Sequence, residues 1–149
     1  MLTKKITPCL LFSGQAKEAA EYYVSIFKKS KITHSTAWTT SFNIEGQDFV
    51  ALDGPKTPFT WAVSFYITCK TQKEIDYYSA KLRAGGGEQQ PCGWVKVKFG
   101  LSWQITPEMM PKLLAAKDKE KVGRLMEAMM EMKKLDIAKL KRAFAGKGK

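Results

Sequence analysis

The stretch AVSFYITCKTQKEIDYY, at residues 62–78, carries the pattern that predicts the fold. Its first eight residues are mostly β-branched, aromatic or otherwise apolar, which predicts a strand. Thr71 with Glu74 three residues later is typical of a helix N-terminus, where both side chains bond to backbone N–H groups. The glycines at 85–87 are expected to end this helix at about Ala84. The stretch therefore predicts a strand that passes through a short turn into a helix.

The same order occurs once earlier in the chain. Residues 5–12 predict a strand, and residues 15–29 predict a helix because apolar side chains recur every three or four positions. Glu21-Tyr22-Tyr23 matches Asp76-Tyr77-Tyr78 at an offset of 55 residues. Short predicted strands follow both helices, and a repeat of this length suggests a duplicated βαβββ unit. We therefore expect an α+β fold in which tandem βαβββ modules form a curved mixed sheet, with C-terminal helices.

The remaining elements follow from alternation and helical spacing. The predicted strands after the first helix are 31–37, 40–45 and 49–52, and those after the second helix are 94–98 and 101–105. Beyond Pro107 the spacing becomes helical, with helices at 108–116 and 117–134 and a last one after the N-cap Asp136. We expect a single domain over 1–149, with module one at about 1–56, module two at about 57–107 and a helical extension at 108–149.

Composition places the chain among globular proteins, since 44% of its 149 residues are hydrophobic and 26% are charged. No apolar stretch approaches the roughly 20 residues that a membrane helix needs, and the N-terminus lacks the pattern of a signal peptide. We therefore expect a cytoplasmic protein without membrane contact. The three cysteines have no CxxC spacing and the chain has one histidine, so neither a disulfide framework nor a zinc site is predicted.

The net charge of +11 is concentrated near the C-terminus. Residues 117–149 hold eleven Lys/Arg against five Asp/Glu, which places +6 of the charge there. A basic tail can bind nucleic acid or anionic surfaces. Because the basic residues are interspersed with acids at helical spacing, this order favours a solvated helix face, and no nucleic-acid partner is expected.

Several catalytic motifs are absent from the sequence. It has no G-x-x-x-x-G-K-[ST] phosphate loop and no G-x-S-x-G nucleophile motif, and the glycine run at 85–87 follows a helix rather than opening one. His34 has no carboxylate near it in sequence, which favours a surface or lining histidine over a catalytic base. No glycine-rich cofactor loop follows a predicted strand. We therefore expect no cofactor.

Residues 6–16, ITPCLLFSGQA, together with Glu21-Tyr22-Tyr23, resemble the opening of PhnB-like proteins. These proteins belong to the vicinal oxygen chelate (glyoxalase/bleomycin resistance/dioxygenase) superfamily. The resemblance covers nearly the whole chain in order. It extends over residues 50–55, 64–66 with 71–74, 85–87, 92–94, 98–105, and 126–129 with 132–134.

The resemblance implies paired βαβββ modules and a homodimer with a pocket in each curved sheet. It also implies a divalent metal held by His, Glu or Gln from the first and last strands of each module. Carried over to this chain, those positions fall near Pro8, near Trp61 or Ala62, within 49–52, and at Gln104. Only Gln104 has a side chain that matches, and one neutral ligand cannot hold a metal that needs three or four.

The same family is often labelled as a 3-demethylubiquinone-9 3-methyltransferase domain. The duplicated βαβββ pattern supplies no S-adenosylmethionine loop, so the label is interpreted as a name rather than a mechanism. We expect a protein that binds a small apolar or aromatic ligand in the sheet pocket without a bound metal. The expected ligand-binding residues are Trp61, Tyr66, Cys92, Trp94, Trp103 and Gln104, with no catalytic residue and no metal ligand assigned.

Two alternatives remain open at this point. One is a metal-dependent enzyme of the glyoxalase or dioxygenase type, with substitute ligands among Glu45, Asp48, Asp53 and Glu88. The other is a dimeric structural or interaction module in which residues 117–144 dock on a partner subunit. In either case the expected partner is a second copy of the chain.

Overall fold

The computed structural model describes Leu2 and residues 4–147, and its elements follow the order βαβββ twice before three helices. The α+β class, the duplicated order and the C-terminal helices are thereby confirmed. The chain divides between Pro58 and Phe59 into two compact units. The first unit contains β1 (Cys9–Phe12), α1 (Ala16–Ile26), β2 (Ser30–Ser35), β3 (Thr39–Ile44) and β4 (Gln47–Asp53). The second contains β5 (Ser64–Cys69), α2 (Gln72–Arg83), β6 (Glu88–Gln89), a 3₁₀ turn (Pro91–Gly93), β7 (Trp94–Lys96), β8 (Ser102–Pro107), α3 (Met110–Leu114), α4 (Lys119–Met130) and α5 (Ile137–Ala145).

The first unit is a four-stranded mixed sheet with α1 packed on it. The strand order is β1-β4-β3-β2, with β1 parallel to β4 and the other pairs antiparallel. The ring of Tyr23 from α1 stacks on Phe42 at 6.2 Å between centroids, and Phe42 stacks on Phe49 at 5.2 Å. The Asp53 carboxylate at the end of β4 accepts a hydrogen bond from the Ala16 backbone N–H at 2.9 Å. This bond joins the start of α1 to the sheet edge where β1 and β4 end.

The first strand and the helix of the first unit are each four residues shorter than the sequence predicts. The strand expected over 5–12 begins at Cys9. Pro8 has no N–H to donate to a ladder, although its carbonyl oxygen accepts from Val50 N at 3.0 Å. The helix expected over 15–29 ends at Ile26, and the Ser30 hydroxyl donates to Val24 O at 2.8 Å just beyond it.

The second unit repeats the arrangement with strand order β5-β8-β7-β6 and α2 packed on the sheet. The predicted N-cap of α2 is confirmed, because the Thr71 hydroxyl accepts from Glu74 N at 3.2 Å. The Glu74 carboxylate accepts from Lys70 N at 3.3 Å, one residue before the N-cap position of a standard capping box. Both bonds fix the turn between β5 and α2.

One face of the second sheet belongs to the core of its unit. The strand register places Phe65, Trp103 and Val95 in one row across three strands. Val95 is fully buried and Trp103 is 4% exposed, and the rings of Phe65 and Trp103 meet edge to face at 5.2 Å. The helix α2 contributes Ile75 and Leu82 to the buried residues of this unit. Side chains alternate along a strand, so the residues directly before and after Phe65, Trp103 and Val95 in sequence lie on the other face of the sheet.

The three C-terminal helices form their own apolar cluster. Asp136 caps α5 by accepting from Lys139 N at 3.0 Å, which confirms the predicted N-cap, and Asp118 caps α4 in the same way. No helix among the described residues is both long enough and apolar enough to cross a bilayer. The buried members of the cluster are Met110, Leu125, Leu135 and Leu140, flanked by Met109, Leu113, Ala128, Met129, Met132 and Phe144.

Hydrogen bonds tie these helices to α2. The Gln72 side chain donates to Leu135 O at 3.0 Å and accepts from Ile137 N at 2.8 Å. The Lys134 ammonium lies 2.8 Å from the Asp76 carboxylate, on the next turn of α2. The segment between α4 and α5 is thus held against the beginning of α2.

Candidate functional site

Three of the predicted site residues share a row on the face of the second sheet opposite Trp103. The register pairs Gln104 of β8 with Tyr66 of β5 on one side and with Trp94 of β7 on the other. Side chains paired across neighbouring strands point to the same face about 5 Å apart. Tyr66, Gln104 and Trp94 are therefore neighbours on one surface.

A fourth aromatic side chain joins this row from the loop before β5. The ring of Trp61 lies 6.4 Å from that of Trp94, tilted by 42°. Trp61 is 70% exposed and Tyr66 is 48% exposed, whereas Trp94 and Gln104 are half-buried. We call the surface formed by Trp61, Ser64, Tyr66, Trp94 and Gln104 the aromatic face.

The polar centre of the aromatic face is a bond between two side chains. The Gln104 amide nitrogen donates to the Ser64 hydroxyl oxygen at 3.0 Å. The Ser64 O–H can still donate, and the Gln104 carbonyl oxygen can still accept. The pair thus offers a ligand one donor and one acceptor side by side, between aromatic rings.

The structure does not bring Trp103 and Cys92 into this surface. Trp103 lies on the core face with Phe65. Cys92 lies in the 3₁₀ turn before β7, with a left-handed backbone (φ 63°), and its N–H donates to Met132 O at 2.9 Å. Of the six expected residues, Trp61, Tyr66, Trp94 and Gln104 come together. Ser64 was not among them, although its position two residues before Tyr66 on a strand predicts the same face.

The side chains of the aromatic face do not fit a divalent metal. They supply an amide, a hydroxyl, a phenol and two indoles, whereas divalent cations in proteins are bound by several carboxylate, imidazole or thiolate groups. The nearest carboxylate on the strands of this face is Glu88 on β6, two strands from β8 and paired with Lys96. Over Leu2 and residues 4–147, no three His, Cys, Asp or Glu side chains cluster as a metal site would require.

The other carboxylates considered as substitute ligands have local structural contacts or lie in a turn. Asp53 binds the N-terminus of α1, and Asp48 accepts from the Asn43 amide at 2.8 Å. Glu45 is exposed in the turn between β3 and β4, where it adopts a φ of 50°. None of these three residues belongs to the second unit, which contains the aromatic face.

Cys69 at the end of β5 is buried and is not a candidate nucleophile. Burial, together with the negative charge of Glu74, raises the pKa of the Cys69 thiol to about 12. A thiol with that pKa is almost entirely protonated at neutral pH, and the thiolate is the reactive form. The side chain therefore acts as a small apolar group of the core.

The first unit has a row that corresponds to the aromatic face. In both units the parallel strands end alike, since Gly54 N donates to Phe12 O and Glu108 N donates to Cys69 O, each at 2.8 Å. His34 extends the first unit's row onto β2, where it pairs with Ser41 and is exposed. When these strand ends are matched, the corresponding residues are Cys9 and Tyr66, Val50 and Gln104, and Ser41 and Trp94.

Two βαβββ units, each with its first strand parallel to its last, are consistent with the fold of vicinal oxygen chelate proteins. Residues 4–106 match the family model described as 3-demethylubiquinone-9 3-methyltransferase. A PhnB protein from Bacillus cereus is 33% identical, with 70% of this chain and 99% of that chain covered and a TM-score of 0.64. The chain belongs to this PhnB-like family, as the sequence resemblance predicts.

More distant solved structures share the fold. Protein PA1353 from Pseudomonas aeruginosa is 18% identical over 71% of this chain and 98% of that chain, with a TM-score of 0.57. The fosfomycin resistance protein FosX from Listeria monocytogenes, solved with Mn(II) and sulfate, is 14% identical over 70% and 92% of the two chains, with a TM-score of 0.52. No curated protein matches the chain. The helices α3 to α5 lie beyond residue 106, outside the segment that the family model matches.

Proposed function

We propose that the aromatic face binds a small, flat, apolar or aromatic ligand without a metal ion. The observation that carries the proposal is the row of Tyr66, Gln104 and Trp94 with Trp61 beside it. Ligand sites in proteins are mostly apolar and aromatic, with a few polar groups that fix orientation. An exposed cluster of large aromatic side chains is also a common sign of an interaction site.

The exposed ring area is sufficient for useful affinity. Covering about 100 Å² of the surface of Trp61 would stabilise a complex by about 2.5 kcal/mol, which is about sixtyfold in Kd. Trp61 is 70% exposed, so a ligand can reach this area without rearrangement of the sheet. The tilt between Trp61 and Trp94 leaves two ring surfaces that a flat molecule can contact.

Gln104 and Ser64 give the site its polar selectivity. A ligand with a hydroxyl group can donate to the Gln104 carbonyl oxygen or accept from the Ser64 hydroxyl. Each hydrogen bond contributes about 1 kcal/mol, and an unmatched polar group under a bound ring costs more. We therefore expect a hydroxylated aromatic ring to bind more tightly than the same ring with a methyl group.

Calorimetric titration with 2-naphthol tests the proposal, with 2-methylnaphthalene as the apolar comparison. Trp61→Ala should weaken 2-naphthol binding by about tenfold or more, because the exposed ring is lost. Trp38→Ala is the matched control, since Trp38 is also 70% exposed but lies in the first unit. Equal losses in both variants, or no binding of either compound to the unmodified protein, would overturn the proposal.

The proposal also includes assembly as a homodimer and a cytoplasmic location. The homodimer is implied by the resemblance to PhnB-like proteins, and the cytoplasmic location is the expectation from the sequence. Native mass spectrometry of the untagged protein should show twice the chain mass. A spectrum with the monomer alone would refute the dimer and leave the titration above as an independent test.

A further inference from the structure

The helices α4 and α5 segregate charges that are mixed along the sequence. Arg124 in the first half of α4 donates to Ala143 O and Phe144 O, both at 3.0 Å, at the end of α5. The Lys121 ammonium lies 5.6 Å from the ring centre of Phe144. The beginning of α4 is therefore next to the end of α5, and the two helices are antiparallel.

This pairing produces one strongly basic end and one neutral end. Residues 117–124 and 141–147, which we call the basic end, hold seven Lys/Arg against two carboxylates, a formal excess of five. Residues 127–139 hold three Lys and three carboxylates, with no excess. The cations of the basic end are Lys117, Lys119, Lys121, Arg124, Lys141, Arg142 and Lys147, and all except the half-buried Arg124 are exposed.

The two carboxylates of the basic end, Asp118 and Glu120, both lie at the start of α4. Asp118 lies in the basic end, but its carboxylate already accepts from Glu120 N and Lys121 N at the start of α4. The ion pair of Lys134 with Asp76 lies in the neutral part. The Asp118 carboxylate offsets the positive end of the α4 helix dipole, while the Arg124 bonds satisfy carbonyl groups at the end of α5.

The sequence, in which these charges are mixed, predicts no nucleic-acid partner; from their separation by the helix pairing we propose instead that the basic end binds the phosphate backbone of double-stranded nucleic acid, independently of base sequence. Two adjacent helices with their side chains span about 20 Å, which corresponds to about six base pairs of duplex. Lysine and arginine side chains on such a surface bind phosphates and release condensed counterions. The surface lies beyond residue 106, so it belongs to no part of the chain that the family model matches.

The apolar residues of the same helices favour a duplex over a lipid surface or a single strand. Binding to a lipid surface requires exposed apolar side chains beside the cations. Met130 is the most exposed large apolar side chain described in these helices, at 66%, and it lies in the neutral part. Single strands bind by stacking of bases on exposed aromatic rings, but Phe144 is half-buried beside Lys121.

Fluorescence anisotropy with a labelled duplex of about 20 base pairs tests this proposal between about 50 and 200 mM salt. If roughly four phosphates are neutralised, the logarithm of the affinity should fall with the logarithm of salt at a slope of about −3.6. The variant Lys119→Glu/Lys141→Glu should bind at least tenfold more weakly at low salt, with a slope shallower by about 2.

The matched control is Lys73→Glu/Lys133→Glu, which changes the net charge equally at two exposed lysines outside the basic end, one at the beginning of α2 and one between α4 and α5. It should weaken binding by less than about threefold, since distant exposed charges are screened. If the first variant melts at a lower temperature, Lys119→Gln/Lys141→Gln takes its place, with half the change in charge. Equal losses in both pairs, no binding at low salt, or tighter binding to phosphatidylserine vesicles than to the duplex would overturn the proposal.

Discussion

The two sheets have the same strand order and carry different chemistry on their matched rows. The row in the second unit presents two aromatic rings around an amide, whereas the row in the first presents a thiol, an isopropyl group and a hydroxyl. The core-facing side chains and the contacts at the helix ends maintain the same backbone arrangement in both units, with one strand order and one helix packed on each sheet. The sheet face opposite the core can carry different side chains in each unit without changing this arrangement. Because the aromatic rings and the amide occur only in the second unit's row, we expect ligand binding at Tyr66, Gln104 and Trp94 and not at Cys9, Val50 and Ser41.

The cores of the two units also differ in how much a residue at a matched position contributes to the free energy of unfolding. Phe42 in β3 and Val95 in β7 occupy matched positions, and both are buried. Phe42→Ala should lower the free energy of unfolding by about 3–5 kcal/mol, since it leaves a cavity between Tyr23 and Phe49. Val95→Ala should cost about 2 kcal/mol, because only two methyl groups are removed. Urea denaturation measures both, and equal costs would contradict the comparison.

Two glycines with left-handed backbones should respond differently to a methyl group. Gly93 has φ 82°, and an added Cβ would lie 2.8 Å from Ile105 O and 3.0 Å from the Leu135 side chain. Gly14 has φ 76°, but a Cβ there would meet nothing within 4 Å. Gly14→Ala should therefore cost about 1–2 kcal/mol, the penalty of the backbone conformation alone. Gly93→Ala should cost more by about 1 kcal/mol or above, and a smaller effect at Gly93 would show that the turn is not held as described.

The cysteines of the parallel strands should differ in reactivity and in pH dependence. Cys9 is exposed, whereas Cys69 is buried with a pKa of about 12. Iodoacetamide at pH 8 should label Cys9 rapidly and leave Cys69 unlabelled, as identified by peptide mass spectrometry. Because the folded pKa of Cys69 is raised above its ordinary value of 9.0, its contribution to stability is lost as pH rises from about 9 toward 12.

The variant Cys69→Ala provides the control for that pH dependence. Its unfolding midpoint should fall less steeply above pH 9 than that of the unmodified protein. Rapid labelling of Cys69 in the folded protein, or the same steep fall in Cys69→Ala, would show that the thiol is not held neutral by burial.

The smallest expected effect concerns the ion pair between α2 and the segment before α5. Hydrogen bonds from Lys134, and secondarily from Gln72, lower the pKa of Asp76 below its ordinary value of 3.8. A lowered folded pKa stabilises the protein above about pH 4, and this contribution is lost as the pH falls below it. Asp76→Asn should shift the melting temperature at pH 7 by only a degree or two, because exposed ion pairs contribute little. A shift of many degrees would show that the ion pair contributes more to stability than an exposed pair is expected to.

The sequence was sufficient to predict the fold because the alternation of the strands, the spacing of the helices and the N-cap residues indicated the same order of elements. Alternation predicted most strands, and the N-caps at Thr71 and Asp136 were found where their residue types indicate. The two-residue strand β6 was missed, since so short a segment has no period to detect. The left-handed Cys92 was also missed, because the carbonyl group that holds its N–H belongs to Met132, forty residues away in sequence.

The candidate site was predicted less completely than the fold. Trp103 and Gln104 are consecutive in one strand, so alternation alone places them on opposite faces. The sequence does not show which face the helix α2 covers, and only the packing of Phe65 on Trp103 assigns Trp103 to the core. The register between β7 and β8, which brings Trp94 beside Gln104, depends on pairing that no single-strand pattern reveals.

The most direct test of the central claim is a backbone NMR titration of ¹⁵N-labelled protein with 2-naphthol. We predict that the largest shift changes occur at Trp61, Tyr66, Trp94 and Gln104, while the matched residues Cys9, Ser41 and Val50 change little. Shifts of equal size on both rows, or shifts confined to the first unit, would contradict the assignment of ligand binding to the aromatic face.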